Sequence, residues 1–227
     1  MTRINFAEEL EGAEERLLHQ GRLVAAQMNR VLVAVAQRDD AIANEVIAQD
    51  DRLDEVYMDI QNRILNLLAL QAPVAGDLRF VSAILHSNMH LERMGDLCVN
   101  IAKFVTNQMP YPPDSPMVER LQEMGAAAAE MLQLAMGAFE QRSADLAEQL
   151  PERDEVLDRL NRGMLGDLKS YAGDEQSFEW ATNLFLVARY LERFGDHAVD
   201  IGEQTAFLVT GVFREFTDAS HPKMKLS

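Results

Sequence analysis

The chain has 227 residues, 48% of them hydrophobic, and its 37 acidic against 21 basic side chains give a formal net charge of −16 at pH 7. That charge excludes an unaided nucleic-acid binder, which needs clustered Lys and Arg, and disfavours broad attraction to anionic lipid. No run of about eighteen apolar residues occurs, no signal-peptide pattern opens the chain, and the single Cys98 allows no internal disulfide, so a soluble cytoplasmic protein is expected.

Apolar residues recur at helical spacing from the start of the chain. Leu10, Leu17 and Val24 fall seven residues apart and belong to the buried stripe of a first helix. Gly95 lies on the apolar seam of the third helix and Gly195 on that of the sixth, where glycine allows close approach of a neighbouring helix. The first three helices are predicted over about 6–37, 39–71 and 73–109.

A proline-rich segment divides the chain. Four prolines in seven residues cannot continue a helix and predict a short, stiff linker. The helical pattern then restarts, with helices predicted over about 117–141, 144–169 and 176–213, and the last dozen residues have the composition of a loose tail. The predicted organisation is a first repeat over 1–109, a linker over 110–116, a second repeat over 117–215 and a flexible tail over 216–227.

One peptide occurs twice, one hundred residues apart. Residues 90–101 and 190–201 are identical at seven of twelve positions, and residues 50–54 match 154–158 in the preceding helix of each half. Self-similarity at a long fixed period indicates one supersecondary unit present twice. We therefore predict an all-α protein with six long helices, arranged as two tandem pseudo-symmetric three-helix bundles.

The repeated peptides contain four pairs of carboxylates with i, i+4 spacing. Such pairs lie on one helix face and repel each other by a few tenths of a kcal/mol. They flank the apolar seams, where the sides of two antiparallel helices can meet, and converging carboxylates suit hard cations such as ferric iron, manganese, magnesium or calcium. The candidate ligands are Asp50, Asp54, Glu92, Asp96, Asp154, Asp158, Glu192 and Asp196.

A second interpretation of these acids stays open, because they could simply solvate an outer face with Arg52, Arg93 or Arg193 as partners. Their repetition in both halves favours a metal. His90 and His197 are near the acidic stripe but do not repeat, so they are predicted to be surface residues and not ligands. No Glu-x-x-His pair, phosphate loop, Ser/His/Asp arrangement or Cys/His zinc pattern is present, and no enzymatic activity is expected.

The sequences Leu-Glu-Arg-Met-Gly-Asp at 91–96 and Leu-Glu-Arg-Phe-Gly-Asp at 191–196, each preceded by Asp-x-x-x-Asp, resemble the PhoU family of bacterial phosphate-signalling regulators. The turn at 72–79 is also similar to that family's, and the resemblance covers about residues 5–215. It implies two symmetric helical bundles that in some members bind iron, manganese, magnesium or zinc, including multinuclear clusters, and in others bind none. The implied sites are Asp50, Asp54, Glu92, Asp96 and Asn100 in the first repeat, and Asp154, Asp158, Glu192, Asp196 and Asp200 in the second.

The role implied by the resemblance is that of a negative regulator of the phosphate-starvation response. Such a protein would act without catalysis, as a homodimeric adaptor between the ATPase of the phosphate ABC transporter and a sensor histidine kinase. It would bind no nucleic acid and would reach the membrane only through its partners. The alternative is an acidic helical protein that stores or buffers metal.

Overall fold

The computed structural model describes residues 3–106 and 115–216, and every regular element in these two ranges is an α-helix. The predicted linker and tail lie outside the described residues, apart from 115–116 and residue 216. The helices of the first half are α1 (Arg3–Gln37), α2 (Asp40–Ala48), α3 (Asp50–Leu70) and α4 (Gly76–Thr106). Those of the second half are α5 (Pro116–Glu140), α6 (Ala144–Ala147), α7 (Leu150–Lys169) and α8 (Glu175–Thr210).

The prediction of an all-α chain with six long helices is confirmed, with one refinement. The second helix of each repeat is interrupted, at Gln49 between α2 and α3 and at residues 148–149 between α6 and α7. The predicted cap is present, since Asp39 accepts a hydrogen bond of 3.0 Å from the Ile42 amide at the start of α2. Each interruption precedes the Asp-x-x-x-Asp segment of its repeat.

Two predicted helix ends are shifted by backbone geometry. The third helix begins at Gly76 and not at Pro73, because Ala75 has a φ of 47° and cannot belong to a right-handed helix. The last helix ends at Thr210 and not at Phe213, because Gly211 adopts the left-handed conformation with a φ of 72° and caps it.

The two repeats have matching internal packing and share one core. In the first repeat α1 packs against α3 and α4, and in the second α5 packs against α7 and α8. The repeats meet where α4 lies along α8 and where α1 contacts α5, and the buried apolar side chains form a single continuous cluster across both. No described helix is long and apolar enough to cross a membrane.

The central pair, α4 and α8, runs antiparallel. His90 of α4 faces His197 of α8, whereas the start of α4 lies at the end of α8, where the Arg79 guanidinium is beside Gly211. The two third helices, which carry the repeated peptide, are therefore in direct contact. This contact between repeats determines the surroundings of several site residues.

Candidate functional site

A glycine in each third helix sets the distance to the helix that carries the other acidic pair. A Cβ atom placed on Gly95 of α4 would overlap the Leu53 side chain of α3, and one on Gly195 of α8 would overlap Leu157 of α7. The predicted role of both glycines in close helix approach agrees with these contacts. Because Leu53 lies between Asp50 and Asp54 in sequence, its packing against α4 brings that pair next to the acids of α4.

The first acidic site contains Asp50, Asp54, Glu92 and Asp96. Burial raises the pKa of Glu92, and the carboxylates of Asp96, Asp54 and Asp50 raise it further against the opposing charge of Arg93. Burial also raises the pKa of Asp50, with repulsion from Asp54 and Asp96 added to it. The structure therefore brings these four carboxylates close enough to repel one another.

The first site also has cations of its own. Arg93 lies 3.1 Å from Asp96 and 3.5 Å from Glu92, measured between its guanidinium nitrogens and their carboxylate oxygens. The positive charge of Lys103 lowers the pKa of Asp50 and so opposes the effect of burial. These ion pairs agree with the second interpretation of the acids, in which Arg93 is one of their partners. Part of the negative charge of the first site is therefore compensated without a metal.

The second acidic site contains Asp158, Glu192, Asp196 and Asp200. Burial raises the pKa of Asp196 to about 6, and repulsion from Glu192, Asp158 and Asp200 adds to the effect. Burial raises the pKa of Glu192 as well, although Arg189 and Arg193 oppose it. The carboxylates of the second site are therefore held close together despite their mutual repulsion.

Glu192 has two differently placed carboxylate oxygens. Its Oε1 accepts a hydrogen bond of 2.5 Å from Arg189 Nη1, whereas the buried Oε2 makes no hydrogen bond to any described residue. A buried carboxylate oxygen without a donor is destabilising unless it binds something else, and a cation is the natural candidate. The carboxylate oxygens of Asp158, Glu192 and Asp196 do not all lie within 4.8 Å of one another, however, so metal binding by this set stays a prediction.

Two of the predicted ligands, Asp154 and Asn100, have surroundings of a different kind. Asp154 is only 2% exposed and points toward the α5–α8 side, with its Oδ1 about 3.3 Å from where a Gly195 Cβ would be. Asn100 lines a groove between α4 and α8 together with Lys103 and Tyr190. The two repeats thus differ, since Asp154 is buried and its counterpart Asp50 is partly exposed.

The prediction that His90 and His197 are surface residues is wrong. Their side chains are only 13% and 19% exposed, and their Nδ1 atoms lie 3.2 Å apart across the α4–α8 contact. Asp200 lies beside both rings. The error has a physical reason, because the spacing of residues along one helix does not show which other helix packs against it. Here the partner of His90 is His197 of α8, which lies 107 residues later in the sequence.

The two-fold repetition also appears in a comparison with known families. A family model described as "PhoU domain" matches residues 17–105 and again residues 121–205. The chain belongs to the PhoU family. Each matched range contains one complete set of five predicted ligand residues, although their binding of metal stays a prediction.

Named relatives and solved structures of the PhoU family match over nearly the whole chain. The phosphate-specific transport system accessory protein PhoU homolog of Caulobacter vibrioides is 32% identical, covering 97% of this chain and 95% of the relative. The corresponding homolog of Clostridium acetobutylicum is 30% identical over 93% of this chain and 97% of the relative.

Crystal structures of two bacterial PhoU proteins have the same helical fold. PhoU from Pseudomonas aeruginosa aligns with a TM-score of 0.85 and 31% identity, covering 91% of this chain and 100% of the other. The phosphate transport system regulatory protein PhoU from Streptococcus pneumoniae aligns with a TM-score of 0.82 and 31% identity, covering 92% and 99%. The fold of this PhoU-family chain is therefore shared with both of these bacterial proteins.

Proposed function

We propose that this protein is a cytoplasmic negative regulator of the phosphate-starvation response, acting as an adaptor between the phosphate ABC transporter and a sensor histidine kinase. The observation that carries the proposal is its 32% identity, over 97% of the chain, to an accessory protein of the phosphate-specific transport system. The similarity extends through both repeats and does not stop at one domain. An accessory protein of a transport system acts through contacts with its partners.

The chemistry of the described side chains supports a role without catalysis. Cys98, the single cysteine, is fully buried, and burial together with the nearby Asp50 raises the pKa of its thiol. A neutral, inaccessible thiol cannot act as a nucleophile. Repeated carboxylates suit the binding of cations or basic groups, so binding is the function that we propose for them.

An exposed apolar surface offers a docking face for a partner. Val74, Leu78, Val212 and Phe213 are all more than two-fifths exposed, at 71%, 48%, 62% and 56%. The α3–α4 turn and the end of α8 are neighbours, as the contact of Arg79 with Gly211 shows. We call these four residues the apolar end patch, and we propose that the transporter ATPase docks there, because clustered exposed apolar residues mark interaction surfaces.

The acidic sites would hold metal as part of this adaptor. Asp54, Glu92 and Asp96 would be ligands in the first repeat, and Asp158, Glu192 and Asp196 in the second. A bound cation supplies positive charge that cancels the mutual repulsion of these carboxylates. The acids themselves then join α3 to α4 and α7 to α8, which fixes the helix faces that partners meet.

The deciding experiment measures signalling and binding with the same variants. In a strain that lacks the native gene, the wild-type chain should restore repression of a phosphate-starvation reporter in phosphate-rich medium. It should also bind the purified transporter ATPase and the cytoplasmic part of the kinase. Leu78→Asp with Phe213→Asp should weaken ATPase binding at least about tenfold, whereas Leu165→Asp, at an exposed leucine of α7 outside the patch, should not.

The proposal is rejected if the wild-type chain binds neither partner and does not restore repression. Metal stoichiometry separates the adaptor from the storage alternative. A small, fixed number of ions per chain supports the adaptor, and loading that keeps rising with the supply of iron supports storage. Light scattering of the same samples tests the proposed homodimer, which predicts twice the 25.5 kDa chain mass.

A further inference from the structure

His90, His197 and Asp200 bring three metal-ligand atoms to one point between the repeats. The two Nδ1 atoms are 3.2 Å apart, and Asp200 Oδ2 lies 3.3 Å from the first and 3.5 Å from the second. Among the described residues this is the one group of three ligand-type side chains whose donor atoms all lie within 4.8 Å of one another. We call it the inter-repeat triad.

The shape of the triad matches a face of a tetrahedral metal complex. Zinc bonds of about 2.0–2.1 Å to nitrogen and oxygen place neighbouring tetrahedral ligands about 3.3–3.4 Å apart. The three observed separations bracket that value. A cation near the centre of this face would reach all three atoms together and leave a fourth position for water.

Hydrogen bonds among the three side chains explain this geometry less well than a bound cation does. If both imidazoles donate their Nδ1 hydrogens to Asp200, two N–H groups face each other across 3.2 Å. If one imidazole donates to the other, one nitrogen has to serve as acceptor while it lies near an anionic oxygen. A cation bound by all three atoms removes both conflicts, because each imidazole then binds it through an unprotonated Nδ1.

The repeat itself provides an internal comparison. The positions one hundred residues away from the triad are Tyr190, Leu97 and Asn100. Tyr190 and Asn100 line a groove of about 270 Å³ between the same two helices, and Leu97 is buried. The fold alone therefore does not require imidazole or carboxylate at these positions, and the set of ligands occurs on one side of the pseudo-symmetric contact only.

We propose that the inter-repeat triad is a mononuclear binding site for a divalent cation of the zinc type, with water as the fourth ligand. Two imidazoles and one carboxylate suit zinc and cobalt, in contrast to the all-oxygen acidic sites, which suit harder ions. One ligand comes from α4 and two come from α8. Binding therefore ties the first repeat to the second and stabilises their contact.

The test titrates the full chain, stripped of metal with a chelator, with Co²⁺ as a spectroscopic probe for zinc. One equivalent should produce the strong visible absorption of tetrahedral cobalt, and Zn²⁺ should displace it. His90→Gln and His197→Gln should each lose that absorption and bind at least about a hundredfold more weakly. The control is His86→Gln, which changes an exposed histidine one turn before His90 and should leave the signal intact.

Two further measurements separate the triad from other effects. The variant Glu92→Gln with Asp96→Asn, which removes two carboxylates of the first acidic site, should keep the cobalt spectrum, so loss of that site and loss of the triad are distinguishable. Zn²⁺ should raise the thermal midpoint of the wild type but not of His90→Gln, whose metal-free circular dichroism should match the wild type. A wild-type chain without tetrahedral absorption, or a folded His90→Gln variant that retains it, overturns the proposal.

Discussion

The close contact of α3 with α4 can be tested by adding a single methyl group. In Gly95→Ala the new Cβ would overlap a terminal methyl group of Leu53, a residue that is only 1% exposed. Two opposing effects set the result. Alanine favours the helix over glycine by about 1 kcal/mol, and overfilling a packed core costs about 1–3 kcal/mol, with a direct overlap at the upper end. We expect a net loss of about 1–2 kcal/mol.

The matched control is Gly12→Ala in the interior of α1. A Cβ atom there would have no neighbour within 4 Å, so only the helix preference remains and the variant should gain up to about 1 kcal/mol. For a chain of this size 1 kcal/mol corresponds to roughly 2–4 °C. Calorimetry should therefore find Gly95→Ala melting below the wild type and Gly12→Ala melting at or above it.

A second substitution identifies the cause. Leu53→Ala alone should destabilise the protein by about 2–5 kcal/mol, because it leaves a cavity. Combined with Gly95→Ala it should cost about 1–2 kcal/mol less than the sum of the two single changes, since the overlap is gone. A Gly95→Ala variant as stable as the wild type, or strictly additive effects, would refute the argument that this contact limits how closely α3 and α4 approach.

Three more predictions concern the acids, the thiol and the end of the described chain. At pH 8 and without metal, Glu192→Gln with Asp196→Asn should raise the thermal midpoint by the equivalent of about 1 kcal/mol, because the raised pKa of Asp196 means that its charge opposes folding. Since folding favours the protonated acid, this gain should fade as the pH falls through 6, and a gain that persists at pH 4 contradicts the account. Native Cys98 should react with a thiol reagent at least about a hundredfold more slowly than in denaturant, and rapid native labelling would show that the core opens there. Glu203→Ala should cost about 1–3 kcal/mol and speed amide exchange at Phe216, whose N–H donates a 2.6 Å hydrogen bond to Glu203; unchanged exchange would exclude that bond in solution.

Local features of the sequence were sufficient to predict the helices and to predict which acids share a helix face. Apolar spacing of seven residues identifies buried stripes, and i, i+4 carboxylates must share a helix face. The interruption at Gln49 has no such signal, since a glutamine in ordinary right-handed geometry separates α2 from α3. The burial of Asp154 was also not predictable, because its i, i+4 spacing from Asp158 does not show whether its side chain lies in the core or in solvent.

The surroundings of the two histidines could not be predicted from the pattern of one helix at a time. Helical spacing placed His90 beside the acidic stripe of α4, yet its closest partners come from α8 of the other repeat. Finding them requires the antiparallel pairing of the third helices, which follows from the packing of two complete repeats. The contact between the repeats was therefore not predicted, because the pattern of neither repeat shows it.

The differences between the repeats are informative because the repeats otherwise match. The acidic pairs occupy equivalent positions in both halves, so their placement follows from the shared three-helix unit. His90 and His197 have Tyr190 and Leu97 as counterparts, so the inter-repeat triad cannot follow from that unit. A change at His90, the triad residue of α4, should therefore alter how the two repeats are held together while leaving the carboxylates of each acidic site in place. Because α4 and α8 both carry acids of the candidate sites, a cation between them would couple the two sites through a contact that neither repeat possesses alone.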